Sequence, residues 1–178
     1  MLVAVEEAPE VDADAQVEAF VHTRGPALMA LARLLVRHPQ DAEDLVQEAL
    51  ARCLPHWEKV GRDPEGYVRR TMVRLAIDRA RRRRRRPESL VDAPERSAPE
   101  RSTPDRTDHV ATRIGLVEAL RRLPARQRAA VVLRFYLDLD ERTAAATMGC
   151  AVGTVKSLTS RALTALRAED GPLSGKDG

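Results

Sequence analysis

The feature that most constrains this chain is a stretch of its middle, residues 87–109, that contains almost no apolar side chains. Ser, Asp, Glu and Arg fill this stretch between Pro87, Pro94, Pro99 and Pro104. Such a segment cannot bury enough surface to offset the entropy that ordering removes. We therefore interpret residues 87–110 as a flexible linker between two small domains, residues 15–86 and 111–168, with a disordered acidic tail at 1–14 and a disordered tail at 169–178.

Composition predicts that both domains are entirely helical. Ala, Leu, Val and Arg dominate, and aromatic residues make up only 3% of the chain, a balance that favours helices over sheets. Cys53 and Cys150 have no Cys or His at ligand spacing, so neither a disulfide framework nor a zinc site is indicated. The start lacks a secretory pattern, and no stretch approaches the length of a membrane span. We expect a soluble cytoplasmic protein without a cofactor.

Apolar periodicity and terminal signals predict three helices in the first domain. The first covers about residues 15–37, and Gly25-Pro26 should bend or interrupt it. The second covers about residues 41–54, with Asp41 or a neighbour as its N-cap. The third runs from Asp63-Pro64, an N-cap followed by a first-turn proline, to about residue 85. Its apolar face is predicted to exclude Val73 and to contain Val68, Thr71, Met72, Leu75, Ala76 and Arg79.

In the second domain, two helical patterns separated by Met148-Gly149-Cys150 indicate a helix-turn-helix. The alternative is an ordinary helical hairpin whose polar face meets only water. In the second of these helices, the predicted buried stripe consists of Val155, Thr159, Ala162, Leu163 and Leu166. The opposite, open face carries Thr154, Ser157, Leu158 and Arg161.

Catalysis finds little support in the sequence. The acids Glu43, Asp44 and Glu48 lack the Glu-x-x-His pairs that a metal site in a helix bundle would use. There is no Gly-rich phosphate loop, and no Ser or Cys has a convincing base partner. We therefore expect a protein that is not an enzyme and holds no metal. Its four histidines are scattered at helix ends or loops: His22, His38, His56 and His109.

Charge is distributed unevenly, although the net charge is only +3. The arginine run at residues 81–86 extends a helix that already exposes Arg69, Arg70 and Arg74, which favours contact with a phosphate backbone over a merely solubilising tail. The acidic face of the second helix, with Trp57 close by, is open to two interpretations: a solvated face or a protein-docking surface.

Four motifs follow one another along the chain. They are Asp41-Ala-Glu-Asp-Leu-Val-Gln-Glu48, Arg74-Leu-Ala-Ile-Asp-Arg-Ala-Arg-Arg82, Leu123-Pro-Ala-Arg-Gln-Arg128, and Val152-Gly-Thr-Val-Lys-Ser157 with Ser160-Arg-Ala-Leu163. Together they resemble one family, the extracytoplasmic-function group of bacterial sigma factors. The resemblance covers about residues 17–86 and 111–168, in the family's order and with a linker between.

The resemblance implies an initiation subunit that binds core RNA polymerase at the β′ clamp helices and the β flap and directs it to promoters. An anti-sigma factor is a further partner of many relatives. The implied core-binding residues are Asp44, Gln47, Glu48 and Trp57. The implied contacts to the −10 element are Tyr67, Arg70, Arg74 and Arg81, and those to the −35 element are Thr154, Lys156, Ser157, Leu158 and Arg161.

This sequence departs from the family pattern at four positions. Tyr67 stands where many relatives have Trp, Arg74 where Asn is frequent, and Ala151 where Ser would cap the recognition helix. Leu158 stands where Arg or Gln is common; it either meets a thymine methyl group or packs inward.

Two rival interpretations need no polymerase. One is a conventional repressor or activator, which would be expected to dimerise, yet the sequence shows no dimer seam. The other is a nucleic-acid packaging protein that uses the arginine run with little sequence preference.

Overall fold

The structure is a computed structural model that describes residues 13–60, 63–85 and 107–169; most of the predicted tails and linker lie outside these ranges. Within them every regular element is helical and none is a strand, so the predicted all-α class is confirmed. The helices are α1 (Ala13–Leu35), α2 (Asp41–Cys53), α3 (Trp57–Val60), α4 (Pro64–Arg85), α5 (Thr107–Arg122), α6 (Ala125–Val131), α7 (Glu141–Met148) and α8 (Val152–Glu169). A 3-10 turn at Leu54–His56 follows α2, and a wider π-helical turn at Val132–Tyr136 follows α6. We call α1–α4 the first domain and α5–α8 the second.

Helix α1 continues through Pro26, so the expected interruption is wrong, whereas the alternative of a bend stays a prediction. Proline removes one backbone donor and crowds the preceding turn. The preceding residue is Gly25, which has no Cβ to clash with the proline ring. Beyond the proline, Leu28, Leu31 and Leu35 are buried and hold the second half of the helix on the core. Tertiary packing thus outweighs the local penalty.

Helix α2 begins at Asp41, and the residue before it is Gln40, which makes no side-chain cap hydrogen bond. The prediction that a side chain at or near Asp41 caps this helix is therefore wrong. A tight turn replaces the cap, because the Asp41 amide donates to the His38 carbonyl at 3.0 Å and the Ala42 amide donates to that of Pro39 at 3.1 Å. The acidic first turn remains favourable to the helix dipole.

Helix α4 starts as the sequence predicts. The Asp63 carboxylate accepts from the Gly66 amide at 2.8 Å, and Pro64 is the first helical residue. A Cβ on Gly66 would lie 2.0 Å from a carboxylate oxygen of Asp63, so any other residue there would make the Asp63 side chain shift. The N-cap prediction is confirmed, and it fixes where the arginines of α4 begin.

The two domains pack into one continuous core. Helix α4 packs against α1 and α2 on one side and against α6 and α7 of the second domain on the other. Val73 is fully buried, so its predicted place outside the apolar face is wrong. A single-helix pattern could not anticipate this, because α4 is covered from two directions. A second, smaller cluster contains Leu120, Leu123, Val131 and Ala162, with Leu34 of α1 packed against it.

The second domain begins with α5 at Thr107, so its first turn lies within residues that the sequence assigned to the linker. Polar residues such as Thr107 and Asp108 are as common in helix starts as in linkers, and composition does not separate the two. Helices α7 and α8 follow in the predicted helix-turn-helix positions, with Gly149 in the left-handed conformation at φ 64°.

Candidate nucleic-acid and protein interfaces

The outer face of α2 carries exposed polar side chains above a buried stripe. Glu43, Asp44 and Gln47 are exposed, whereas Leu45 and Val46 are buried. The Gln47 amide donates to the Glu43 carboxylate at 3.2 Å along the same helix face. This face offers acceptors and one amide to a protein partner.

Glu48 differs from its neighbours on α2, because two arginines hold it. Arg79 of α4 donates to Glu48 from Nε at 3.1 Å, and Arg52 donates to its other oxygen at 2.6 Å. Arg79 also donates to the carbonyl of Asp44 at 3.2 Å. The hydrogen bond from Arg79, followed by the positive charges of Arg79 and Arg52, lowers the pKa of Glu48 despite some desolvation. Glu48 therefore braces α2 against α4, a role that the sequence pattern did not reveal.

Trp57 packs against α1. It is half-buried and packs edge-to-face on Phe20 of α1, with ring centroids 5.1 Å apart at an interplanar angle of 66°. Aromatic pairs of this geometry add to the packing of a core. The tryptophan thus joins α1 to the start of α3.

Helices α4 and α7 form a surface cavity of about 300 Å³ that is lined by Tyr67, Arg70, Thr71, Arg74 and Ala146. The Arg70 guanidinium lies 6.0 Å from the centre of the Tyr67 ring, at the outer limit of a cation–π contact. The cavity therefore combines an aromatic face with two cationic side chains. Arg81 lies about two turns further along the same side of α4 and is exposed.

The exposed end of α4 is purely basic over residues 81–85. Arg83 donates to the Asp41 carboxylate at 2.8 Å and so ties this end to the start of α2. Residue 86, the last of the arginine run, lies outside the described residues. The run thus has both a structural contact and free cationic surface.

The helix-turn-helix is closed by local hydrogen bonds at both ends of α7. Asp140 caps its start by accepting from the amide of Thr143 at 2.8 Å and from its hydroxyl at 2.9 Å. Those bonds, the amide first, lower the pKa of Asp140. At the other end the Cys150 amide donates to Ala145 at 3.0 Å across the left-handed Gly149, a Schellman-type termination. This turn sets the angle between α7 and α8.

Most of the predicted DNA-contacting residues of α8 lie on its outer surface. Lys156, Ser157 and Arg161 are exposed, and Thr154 is half-buried. Ser157 donates to the Thr154 carbonyl at 3.0 Å, while the Lys156 ammonium lies 3.3 Å from the Glu141 carboxylate of α7. These side chains form a compact polar and basic strip.

Leu158 does not belong to that open strip. It is half-buried and packs against the main core, so its predicted place on the open face is wrong and the inward alternative describes it. In the predicted stripe, Val155 and Ala162 are fully buried and the others are partly covered. Helical periodicity predicts which side of the helix a residue lies on. Packing against the neighbouring helices decides how much of the helix surface is buried.

Comparison with family models places both domains. A model described as Sigma-70 region 2 matches residues 20–86, and a model described as Sigma-70, region 4 matches residues 113–166. The chain belongs to the sigma-70 family. The predicted resemblance and the predicted role in transcription initiation with RNA polymerase are thereby confirmed.

Named relatives place this sigma factor in the extracytoplasmic-function group. It is 38% identical over 154 residues to the RNA polymerase sigma-E factor of Streptomyces coelicolor, covering 85% of this chain and 84% of the relative. It is 33% identical over 145 residues to the ECF RNA polymerase sigma factor EcfG of Rhodopseudomonas palustris, covering 80% and 78%. Family membership decides against the repressor and packaging interpretations.

A solved structure shares the arrangement. The sigma factor RpoE of Bartonella quintana, solved in complex with the anti-sigma factor NepR, aligns with a TM-score of 0.62 at 26% identity. The alignment covers 89% of this chain and 99% of that one. Among the described residues of this sigma factor, no helix has the length and apolar character needed to cross a membrane.

The structure of this sigma factor brings some of the predicted site residues together and places others apart. Tyr67, Arg70 and Arg74 share one cavity, and Asp44 and Gln47 share one exposed face. Two residues with clear structural roles escaped the sequence analysis of sites: Arg79, which holds Glu48, and Arg128, which is buried. An arginine at an otherwise apolar helical position is the signal that marks both.

Proposed function

We propose that this sigma factor docks on the β′ clamp helices of core polymerase through α2, opens the −10 element along α4 and reads the −35 element with α8. The observation that carries the proposal is the cavity beside α4, which an aromatic side chain and two arginines line together. The protein would work in the cytoplasm, where it would catalyse no reaction itself and would use no cofactor.

Core docking is assigned to the exposed residues Asp44 and Gln47, which present a carboxylate and an amide on one helix face. Glu48 would support this face indirectly, since Arg79 and Arg52 already occupy its oxygens. Trp57 would contribute by holding the neighbouring turn in place. In the second domain, the exposed aromatic pair Phe135 and Tyr136 is a suitable contact for the β flap.

Opening of the −10 element requires unstacked bases to be captured, which costs a few kcal/mol per base. Single-stranded DNA is usually held by aromatic stacking together with a basic groove. Tyr67 supplies a ring, and Arg70 and Arg74 supply charge beside it. Arg81, further along α4, would follow the phosphate backbone.

Recognition of the −35 element is assigned to Thr154, Ser157 and Arg161, with Lys156 contacting phosphate. A recognition helix presents the side chains near its N-terminus to base edges in the major groove. The contact of Leu158 with a base stays an untested prediction, and its inward packing argues against it. An anti-sigma factor is a further proposed partner, supported by the alignment with a sigma factor solved in such a complex.

Run-off transcription with purified core polymerase on a pool of genomic templates is the decisive experiment. We expect discrete transcripts that core enzyme alone does not produce. The variant Asp44→Ala with Gln47→Ala should lower core affinity by about tenfold and reduce all transcripts equally. Glu18→Ala, an exposed carboxylate on α1, serves as the matched control and should change neither quantity. Absence of any core-dependent transcript would refute the proposal.

A further inference from the structure

Three arginines lie together where the end of α1 packs against α5 and α6. Arg128 of α6 donates from Nε to the Leu35 carbonyl at 3.0 Å and from a terminal nitrogen to the Arg121 carbonyl at 3.2 Å. Arg121 belongs to the last turn of α5, and Arg37 lies two residues beyond Leu35, where α1 ends. We call Arg37, Arg121 and Arg128 the junction arginines.

The junction arginines have little negative charge to balance them. Arg128 is only 4% exposed, and its pKa is lowered to about 10, first by desolvation and then by the positive charges of Arg37 and Arg121. Among the described residues, no carboxylate forms an ion pair with Arg37 or Arg128. The Glu118 carboxylate pairs with Arg121 and is itself half exposed. A buried cation normally has an anionic partner, so Arg128 is an exception that needs a physical reason.

The backbone offsets this charge only in part. The last carbonyls of α1, including that of Leu35, carry the partial negative charge of a helix end. A second observation concerns the Nε of Arg121, which is buried and makes no hydrogen bond within the part of the chain that the structure describes. Buried donors almost always have a partner. The uncompensated charge of Arg128 and the unpaired donor of Arg121 both indicate a ligand that is anionic and rich in oxygen.

Access restricts the size of this ligand. Arg37 is exposed and the Arg121 side chain is 19% exposed, so the junction can be reached from solvent. Arg128 is too nearly covered for a DNA duplex to contact it, whereas a small anion can approach between the other two side chains. Guanidinium groups present planar forks of N–H donors that match the oxygens of a phosphate group. The geometry therefore favours a small phosphate compound over nucleic acid.

We propose that Arg37, Arg121 and Arg128 form a binding site for a small anion with two or more phosphate groups, either inorganic or carried by a nucleotide. Two phosphate groups carry enough negative charge to balance three guanidinium groups, which a single carboxylate cannot do. Arg37 binds the anion from the solvent side, and a rotation of the Arg121 side chain turns its unpaired Nε towards it. The site lies apart from the cavity beside α4 and does not rest on the DNA contacts proposed there.

Isothermal titration calorimetry of the full chain with inorganic pyrophosphate tests the site. The buffer contains no phosphate or sulfate, and potassium chloride keeps the ionic strength constant, which separates binding from general screening. We expect one anion per chain and a rise in Tm of about 5–10 °C at roughly 100 times the Kd. Binding that does not saturate at one anion per chain, or an equal rise in Tm with potassium chloride at the same ionic strength, would overturn the proposal.

A variant at the solvent side locates the anion. Arg37→Gln should weaken pyrophosphate binding by about tenfold, because it removes one charge-assisted hydrogen bond. Arg37 is exposed, so this change leaves the buried core intact. Arg126→Gln removes the same charge from the opposite side of α6 and is the matched control, with no change in affinity expected. Equal affinities of the parent and Arg37→Gln would contradict the site.

A second variant should change the affinity in the opposite direction. The Glu118 carboxylate competes with the anion for Arg121, so Glu118→Gln should tighten pyrophosphate binding by about threefold. A merely structural disturbance of the junction would weaken binding instead, and that result would count against the proposal. Loss of binding in Arg70→Gln with full binding in Arg37→Gln would place the anion in the cavity beside α4 and refute the junction site.

Two further titrations distinguish the sources of the phosphate groups. Tripolyphosphate represents inorganic polyphosphate, and ADP carries two phosphate groups on a nucleoside. If a nucleotide is the natural occupant, ADP should bind at least as tightly as pyrophosphate. If the occupant is inorganic, tripolyphosphate should bind more tightly than pyrophosphate, and ADP should bind more weakly. Failure of all three compounds to bind would refute the site, while normal run-off transcription by the same protein would leave the proposed function intact.

Discussion

Arginines stabilise this molecule in two different ways, within the first domain and between the domains. Within the first domain, Arg79 and Arg83 bind the carboxylates of Glu48 and Asp41 and so join α4 to α2. Between the domains, Arg74 and Arg128 donate to backbone carbonyls and to no side chain of the described residues. The first pair is neutralised by its partners, whereas the second pair keeps most of its charge.

This difference bears on how each contact responds to an outside anion. When an outside anion takes the guanidinium from a carboxylate, that carboxylate loses its positively charged partner. A guanidinium on helix-end carbonyls can accept a better anion without leaving a charge behind. The two sides of α4 are thus held differently, by ion pairs towards α2 and by hydrogen bonds to helix-end carbonyls towards α7.

The largest expected effect comes from Arg128, which is 4% exposed and has a pKa lowered to about 10, chiefly by desolvation. At that pKa it remains protonated at neutral pH. Arg128→Ala should lower the free energy of unfolding by about 3 kcal/mol, because it removes buried packing and leaves the carbonyls of Leu35 and Arg121 without their donor. Urea denaturation measures this, and Arg128→Lys should recover part of the loss. A loss below about 1 kcal/mol would show that the buried contact is not structural.

A smaller effect is expected for Arg79, which pairs with Glu48. The two side chains are 24% and 32% exposed, respectively. Arg79→Ala should cost about 1 kcal/mol of unfolding free energy, the upper range for such pairs. Arg83→Ala is the matched comparison, because the Arg83 side chain is half exposed in its pair with Asp41 and should contribute only a few tenths of a kcal/mol. Equal losses in the two variants would contradict the proposed bracing role of Arg79.

The same pair has a defined pH dependence. The folded-state pKa of Glu48 is lowered, first by the hydrogen bond from Arg79. The stability that this carboxylate contributes is therefore present above its unfolded pKa, about 4.5, and is lost as the pH falls through the lower folded-state value. We expect the difference in unfolding free energy between the parent and Arg79→Ala to be constant above pH about 5.5 and to shrink below it. Thermal unfolding across pH 3 to 7 checks this, and Glu48→Gln should abolish the dependence of that difference on pH.

Local signals were enough to predict much of the fold. Asp63-Pro64 opens α4 because capping chemistry is contained in a few neighbouring residues. Gly149 ends α7 because a left-handed residue favours glycine. Both features depend on side chains within one turn, so the sequence alone contains the physics. The order of the motifs similarly identified the family before any contact was known.

The rest depends on contacts between distant segments. Val73 is buried because α4 is covered on two sides, and Leu158 turns inward because the core extends to it. Pro26 is tolerated because the helix around it is held by packing. Arg74 belongs to the proposed DNA site by sequence position, yet its bonds to α7 join residues more than seventy positions apart. No periodicity within one helix contains such information.

The smallest effect on stability is expected at Lys156, which forms an ion pair with Glu141. The two side chains are 62% and 39% exposed, respectively. Lys156→Ala should change the unfolding free energy by less than about 0.5 kcal/mol. Its effect should appear in DNA binding by the polymerase complex, since one lost phosphate contact reduces the slope of log affinity against log salt by about 1. Arg122→Ala, an exposed basic change on α5, is the control and should leave the slope unaltered. The ion pair between Lys156 and Glu141 must break before Lys156 can reach a phosphate, so Glu141→Gln should slightly raise the affinity for DNA. An unchanged salt slope in Lys156→Ala would show that this lysine binds α7 and does not contact DNA.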